Sequence, residues 1–321
     1  MKKRLLLIDQ LNLFFRSYIV NPSVSSDGSP IGGMVGSIKS LQKICRETQP
    51  DKIIICWDGP GGSKKRKLMK KDYKAGRKPM RLNRDIRHLS EEEEKSNKAW
   101  QLERMVDYYN YMPLIQFMFP GTEADDIIAY VAGMPEYKDW DKIIVSSDKD
   151  FIQLLDDSTV LYRPIQKQIL NKKRILEEYS IHPNNFTFAR AMAGDRSDNL
   201  PGVGNVGLQS AAKRFPFLAD EKSTTISEIV DYCKEMLKEK KLKVYENVLE
   251  NKDAFEVNYQ MMQLYTPSLS IDAKKNIRDT MRDADITFNK TKIVTSMVRD
   301  GFDDLEWTEL QAFFRRIVLD K

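Results

Sequence analysis

Histidine is almost missing from this chain of 321 residues: His88 and His182 are the only two. That scarcity argues against a zinc site and against a histidine-centred catalytic triad, both of which lean on imidazole. Cysteine is nearly as rare. Cys45, Cys56 and Cys233 lie far apart, an odd number without metal-ligand spacing, so neither a disulfide framework nor a cysteine metal site is expected. Such usage fits the reducing cytoplasm. No apolar run is long enough to span a bilayer and no secretory leader pattern is present, so no membrane partner is expected. With 41% hydrophobic and 31% charged residues the chain can build a core and stay in solution. Hydrolytic chemistry, if there is any, must therefore run on carboxylates and a metal.

Positive charge is modest overall, a net +5, but it is not spread evenly. Between Ser63 and His88 stand twelve lysines and arginines against Asp72 and Asp85, a local balance of +10 on an otherwise slightly acidic protein. A polycation this dense more often marks a contact with a polyanion than a merely solvated face, which points to nucleic acid.

Short apolar runs at Arg4–Ile8, Lys52–Trp57 and Lys142–Val145 predict buried strands, with weaker strand signals at 114–118 and 159–162. Helical patterns lie between them: 11–18, 34–47, 91–111, the stretch after Asp126, and a short piece at 151–155. Strands alternating with helices predict an α/β fold around a parallel sheet. After about residue 170 the alternation stops. Helical patterns then cover 171–180, 184–193, 225–240, 242–265 and 303–318, while 266–300 gives little signal. The expectation is an α/β domain over residues 1–170 and an all-helical domain over 171–321.

The chemistry centres on Gly121-Thr-Glu123-Ala-Asp125-Asp126. One or two acids before an apolar helix are commonly a favourable N-terminal charge. Three carboxylates this close repel one another unless a cation sits among them. Oxygen ligands of this kind suit Mg²⁺ or Mn²⁺. Asp9, Asp58 and Asp148 each stand just beyond the carboxyl end of a predicted strand, where parallel sheets place their ligand sites. A second acidic group, Asp195 and Asp198, is spaced to share one face of a helical turn. A glycine-rich stretch, Gly202-Val-Gly204-Asn-Val-Gly207, follows. Its backbone N–H groups could hold a phosphate, although a plain helix–helix connection reads the same way.

These motifs, taken in order, resemble the 5′-nuclease superfamily of flap endonucleases and 5′→3′ exonucleases, which includes the 5′-nuclease domain of DNA polymerase I and phage enzymes of the T-even ribonuclease H type. The matching residues are Leu-Ile-Asp9 with Arg16, Trp57-Asp58, Tyr73-Lys74 with Arg77, Gly-Thr-Glu123-Ala-Asp125-Asp126, Ser147-Asp148-Lys-Asp150, and Gly194-Asp195-Arg-Ser-Asp198-Asn-Leu-Pro-Gly202-Val. The resemblance runs from residue 5 to about 215. It implies a PIN-like α/β nuclease domain, a helical arch or clamp over residues 63–98, and a helix–hairpin–helix-type element over 190–216 that binds duplex DNA through its backbone and takes a monovalent cation such as K⁺.

The resemblance further implies that Asp9, Asp58, Glu123, Asp125, Asp126, Asp148, Asp150, Asp195 and Asp198 ring two Mg²⁺ sites. Asp148, Asp150, Asp195 and Asp198 are assigned to the second, looser site. Nine carboxylates exceed two inner shells, so some must act through water. Lys74 and Arg77 match the phosphate-gripping pair. Arg66 matches a basic family position but lies one residue further from Asp58 than in polymerase I. Tyr73 is expected to stack on a base at the 5′ end or to pack within the arch. Arg16 should orient a carboxylate or phosphate, or form a plain salt bridge. Lys64 to Lys71 are expected to be nonspecific phosphate contacts.

The sequence departs from the family pattern at Gln10 in place of glycine, at Gly204-Asn205 in place of Pro-Gly, and at Gln209-Ser210 in place of Lys-Thr. These departures bear on duplex binding rather than on chemistry. The implied activity is that of a stand-alone, phage-type replication nuclease cutting flaps, nicks and RNA primers on branched or nicked duplex DNA and RNA–DNA hybrids. A single-strand-binding protein or sliding clamp is a candidate partner. Two rival readings are a non-catalytic DNA-binding relative and a PIN-type single-strand ribonuclease.

Overall fold

A computed structural model describes residues 2–77, 80–83, 85–86, 89–302 and 307–319. Three of the twelve lysines and arginines of the basic block (Lys78, Arg84 and Arg87), with Pro79 and His88, and the start of the expected helix at 303 lie outside these residues. The strands are β1 (Arg4–Asp9), β2 (Lys52–Cys56), β3 (Ile115–Phe117), β4 (Asp141–Val145), β5 (Thr159–Arg163) and β6 (Gln168–Leu170). They form one sheet in the order β3-β2-β1-β4-β5-β6. All pairings are parallel except β5–β6. That antiparallel edge strand was not expected from the sequence. The sheet is therefore mixed but mostly parallel.

Alternate side chains leave a strand on opposite faces, and the core divides accordingly. Leu5, Leu7, Ile54, Cys56 and Ile144 face one cluster, and Leu6, Ile8, Ile53, Ile55 and Val145 face the other. On the second face lie α1 (Gln10–Val20), α2 (Gly32–Thr48) and α4 (Glu91–Tyr109), with α3 (Lys64–Met69) in the basic block between them in sequence. Helix α3 leaves its apolar side chains, Leu68 and Met69, exposed. Helix α2 begins two residues earlier than predicted because Gly32 and Gly33 are packing residues. A Cβ on Gly32 would lie 2.1 Å from the Asn21 carbonyl oxygen, and one on Gly33 would lie 2.4 Å from the Phe14 ring.

The first face is covered by α5 (Ala124–Ala132) and by helices of the C-terminal half: α6 (Lys172–Tyr179), α7 (Pro183–Ala193), α8 (Leu208–Arg214), α9 (Ile226–Glu239), α10 (Lys243–Glu250), α11 (Lys252–Met262) and α12 (Ile271–Asp283). One apolar cluster runs from the sheet through these helices. The stretch read as a single helix over 242–265 breaks at Asn251. Residues 266–300 contain α12 and α13 (Lys290–Arg299). Helix α13 and α14 (Trp307–Leu319) return to the second face, where Ile293, Met297, Leu310 and Phe314 join the β1, β2, α2 and α4 side chains. Among the described residues no helix is long and apolar enough to cross a membrane.

Candidate metal centre and nucleic-acid cleft

Strands β2 and β4 flank β1 and are reached by connections that leave in opposite directions. The crevice beyond the carboxyl ends of β1 and β4 is thus a topological switch point, where open α/β sheets hold ligands. A cleft of about 820 Å³ lies there. Seven of the nine predicted carboxylates line it: Asp9, Asp58, Glu123, Asp125, Asp148, Asp150 and Asp198. Arg16, Arg66, Tyr73, Lys74 and Arg77 line it too.

Most of these carboxylates are held by a local device. Asp9 ends β1 and caps α1, accepting from the Asn12 N–H at 3.2 Å and the Ser146 hydroxyl at 2.9 Å. Asp58 accepts from the Ala124 N–H at 2.7 Å, which ties the end of β2 to the start of α5. The Asp150 N–H donates to Asp148 Oδ1 at 2.8 Å, closing a tight turn after β4. Arg190, from the last turn of α7, donates to Asp150 at 3.1 Å and to Asp195 at 2.7 Å. Sequence reasoning missed both Arg190 and Ser146. Only the nearness of Arg190 to Asp195 hints at its role.

Crowding and burial perturb these acids strongly. Burial, then repulsion from Asp58, drives the Asp9 carboxyl up to about 7 against the Asn12 and Ser146 hydrogen bonds, with Asp148 adding to the rise. Asp150 is likewise raised to about 7 by burial and by Asp148, although Arg190 opposes it. Asp125 is pushed well above the carboxylate range by burial and by Asp148, Asp9, Asp58 and Glu123. Asp58 is raised as well, chiefly by burial. Carboxyls that resist ionisation through burial and then through one another's charge fit a site meant for cations. Among the described residues, no three of these side chains stand as close as the ligands of a single ion. Cationic side chains of the basic block compensate part of the charge instead.

Those side chains point inward. Arg66 pairs with Glu123, donates to Asp126 Oδ2 at 3.1 Å, and donates through Nε to the Met261 carbonyl at 3.1 Å. Its side chain is only 12% exposed, so the expected outward nucleic-acid contact is replaced by a buried ion pair. Lys74 donates to Glu123 at 2.6 Å. Burial disfavours its charge, but Glu123 and the other acids outweigh that and raise its pKa. Lys74 holds a left-handed backbone, φ 57°, and its N–H donates to the Asp198 carbonyl at 3.1 Å. Arg77 pairs with Asp198 and donates to the Ser197 carbonyl at 3.0 Å. Tyr73 is buried in the main core with Lys74 Nζ 4.9 Å from its ring centre, so packing rather than an open stacking face is what the structure presents. Arg16 lines the cleft, and among the described residues it has no ion-pair partner.

Two predicted ligands stand apart from the cleft. Asp126 is spent on Arg66 and on the Ser268 N–H, which donates at 2.7 Å. Asp195 is engaged by Arg190 and by the Ser197 N–H and hydroxyl, at 2.8 and 2.7 Å, and those bonds depress its pKa against its burial. Asp195 precedes and Asp198 closes a short 3₁₀ turn inside a hairpin of β7 (Gly194–Asp195) and β8 (Leu200–Pro201), and the Ser197 hydroxyl reaches both carboxylates, at 2.7 and 3.5 Å. Beyond it, Gly202 packs so tightly that a Cβ would meet the Ala193 carbonyl oxygen at 2.4 Å. The Gly204 carbonyl accepts from Asn247 at 2.9 Å, and Gly207 is open. A second cavity of about 520 Å³ joins Gly202 and Gly204 to Lys70 and Arg196.

Comparison with known proteins agrees with this architecture. A family model described as 5′-3′ exonuclease, N-terminal resolvase-like domain, matches residues 4–180. A 5′-3′ exonuclease of Aquifex aeolicus (strain VF5) is 26% identical over 279 residues, 82% of either chain. One of Buchnera aphidicola subsp. Schizaphis graminum (strain Sg) is 32% identical over 215 residues, 65% of this chain and 69% of its own. The bacteriophage T5 flap endonuclease, solved as a pseudo-enzyme-product complex with DNA and metal ions, shares the fold with a TM-score of 0.62 at 18% identity, over 94% of this chain and all of that one (100%).

Proposed function

Because the chain belongs to the 5′-3′ exonuclease family, we propose that it is a divalent-cation-dependent 5′ nuclease that hydrolyses phosphodiesters in branched or nicked duplex DNA and removes RNA primers from RNA–DNA hybrids during replication or repair. The observation that carries this reading is the gathering of seven carboxylates, from β1, β2, α5, the turn after β4 and the β7–β8 hairpin, into one cleft beside Lys74 and Arg77. A protein that only bound DNA would gain nothing from anionic side chains where phosphates approach.

Asp9, Asp58, Glu123 and Asp125 would hold one cation, and Asp148, Asp150 and Asp198 a second, with Asp195 acting through Arg190. Two bound Mg²⁺ ions, replaceable by Mn²⁺, would supply an activated water and charge neutralisation at the scissile phosphate. Lys74 stays protonated beside Glu123 and is placed to exchange that carboxylate for a phosphate oxygen. Arg77 can make the same exchange from Asp198. Both then offset charge as it develops, and donors fixed beforehand do this best. Arg66 keeps Glu123 and the base of the arch in place rather than touching substrate. In this reading residues 1–170 carry most of the chemistry, with Asp198 joining them from the helical part. The helical remainder grips duplex DNA through the Gly202–Gly207 backbone, with K⁺ as its monovalent ion. Sequence-independent phosphate contacts of this sort supply affinity without base reading. The reading places the protein in the cytoplasm, working beside replication proteins such as a single-strand-binding protein or clamp.

The test is incubation with a 5′-labelled flap, a nicked duplex and an RNA–DNA hybrid, with Mg²⁺ or with EDTA. Short 5′ products are expected from all three in Mg²⁺ only. Intact flap in Mg²⁺, or cleavage in EDTA, would overturn the proposal. An uncut hybrid would remove the primer-removal part alone.

A further inference from the structure

Gln153 sits in the turn that follows Asp148 and Asp150 and is 3% exposed. Its amide is fully used. Nε2 donates to the Asp150 carbonyl at 2.7 Å and to the Met262 carbonyl at 2.9 Å, and Oε1 accepts from the Leu264 N–H at 2.7 Å. The first of these bonds is local and is what any capping side chain could make. The other two span 109 and 111 residues and fix the carboxylate-bearing turn to the link between α11 and α12.

That link forms part of the cleft wall through Met261, Met262 and Leu264. It is also fastened on its other side. The Met261 carbonyl accepts from Arg66 Nε, and Lys65 donates to the Ser268 carbonyl at 3.2 Å and to its hydroxyl at 3.1 Å. The Ser268 N–H donates to Asp126 at 2.7 Å. One short piece of chain thus joins the β4 turn, the start of α5 and the base of the basic block. A glutamine is chemically apt at the junction because one planar group supplies two donors and one acceptor in fixed directions. An apolar side chain of the same size would remove both long-range bonds, which are buried, and leave the Met262 carbonyl and the Leu264 N–H without this partner.

We propose that Gln153 is a positioning residue: it holds the Asp148–Asp150 turn against the Met261–Leu264 wall and thereby sets the affinity of the cleft for its divalent cation. The proposal rests on the metal-dependent reading given above. Groups that orient metal ligands without touching the metal typically contribute a factor of about 10–100 in affinity.

The test is Mn²⁺ binding by calorimetry to DNA-free wild type, Gln153→Met and Gln153→Glu. Near-ultraviolet circular dichroism checks the fold, and flap binding in EDTA checks the DNA surface. The Met variant keeps the size and loses all three bonds. The Glu variant keeps the shape and the acceptor for Leu264 while losing the paired donors, so it serves if the Met variant does not fold. Expected is an affinity for Mn²⁺ at least about tenfold weaker in a folded variant, with flap binding in EDTA within about twofold of wild type. Unchanged or tighter Mn²⁺ binding in a folded variant would overturn the proposal and leave Gln153 a packing residue. Absence of Mn²⁺ binding to wild type would instead defeat the metal-dependent reading itself.

Discussion

Asp9→Asn should make the metal-free protein more stable at neutral pH while destroying its activity. In the folded chain the Asp9 carboxyl is raised from 3.8 to about 7, first by burial and then by Asp58. A rise of that size is worth about 4 kcal/mol, the cost of holding this group ionised in the native state. Because the folded value lies above the unfolded one, the penalty is nil below pH 3.8, grows between 3.8 and about 7, and is complete above that. Asparagine cannot ionise, so it escapes the penalty. It gives up about 1 kcal/mol because one of the two donors now facing Asp9, the Asn12 N–H or the Ser146 hydroxyl, loses its charged acceptor. A net gain of about 3 kcal/mol is expected at pH 8 in EDTA, shrinking towards zero or below by pH 4. Urea denaturation at the two pH values measures it. Saturating Mg²⁺ should close or reverse the gap, since a ligand at a hundred times its Kd stabilises the protein that binds it by about 2.7 kcal/mol. A variant less stable than wild type at pH 8 in EDTA, or an advantage independent of pH, would refute the argument that burial and like charge govern this site.

Asp148→Asn should abolish cleavage and leave flap binding within a few fold, as read by product formation and by anisotropy. Lys74→Ala should lower kcat by about 10²–10³, the typical effect of losing one preorganised donor, with a smaller change in KM. Asp126→Asn should act mainly on stability, because Asp126 serves Arg66 and Ser268 rather than the cleft; a loss of about 1–3 kcal/mol is expected in thermal or urea melts. Gly202→Ala should disrupt the hairpin and weaken duplex binding, whereas Gly207→Ala, with open space around its Cβ position, should leave the melting temperature unchanged.

The strands were legible because buried parallel strands are written as short apolar runs: Leu5–Ile8, Ile53–Cys56 and Ile143–Val145 all fall within β1, β2 and β4. The carboxylates at their ends were legible for the same reason, since a strand's end fixes where the next residue emerges. Other features left no local trace. Strand β6 is three residues long and exists through its pairing with β5. Gly32 and Gly33 lie before the expected 34–47 helix but serve the close approach of α2 to its neighbours, which depends on distant Asn21 and Phe14. Arg66 matched a family position, yet nothing in its surroundings in sequence says that it turns inward to Glu123. The return of α13 and α14 to the β1–β2 face likewise depends on contacts across the whole chain.

The account stands on divalent cations filling the acidic cleft. Anomalous scattering from a crystal soaked in Mn²⁺ tests that most directly. Peaks are predicted among Asp9, Asp58, Glu123 and Asp125 and beside Asp148, Asp150 and Asp198, with Arg66 still on Asp126 and Lys74 released from Glu123. A cleft without Mn²⁺ peaks, or Mn²⁺ bound only elsewhere on the molecule, would contradict it.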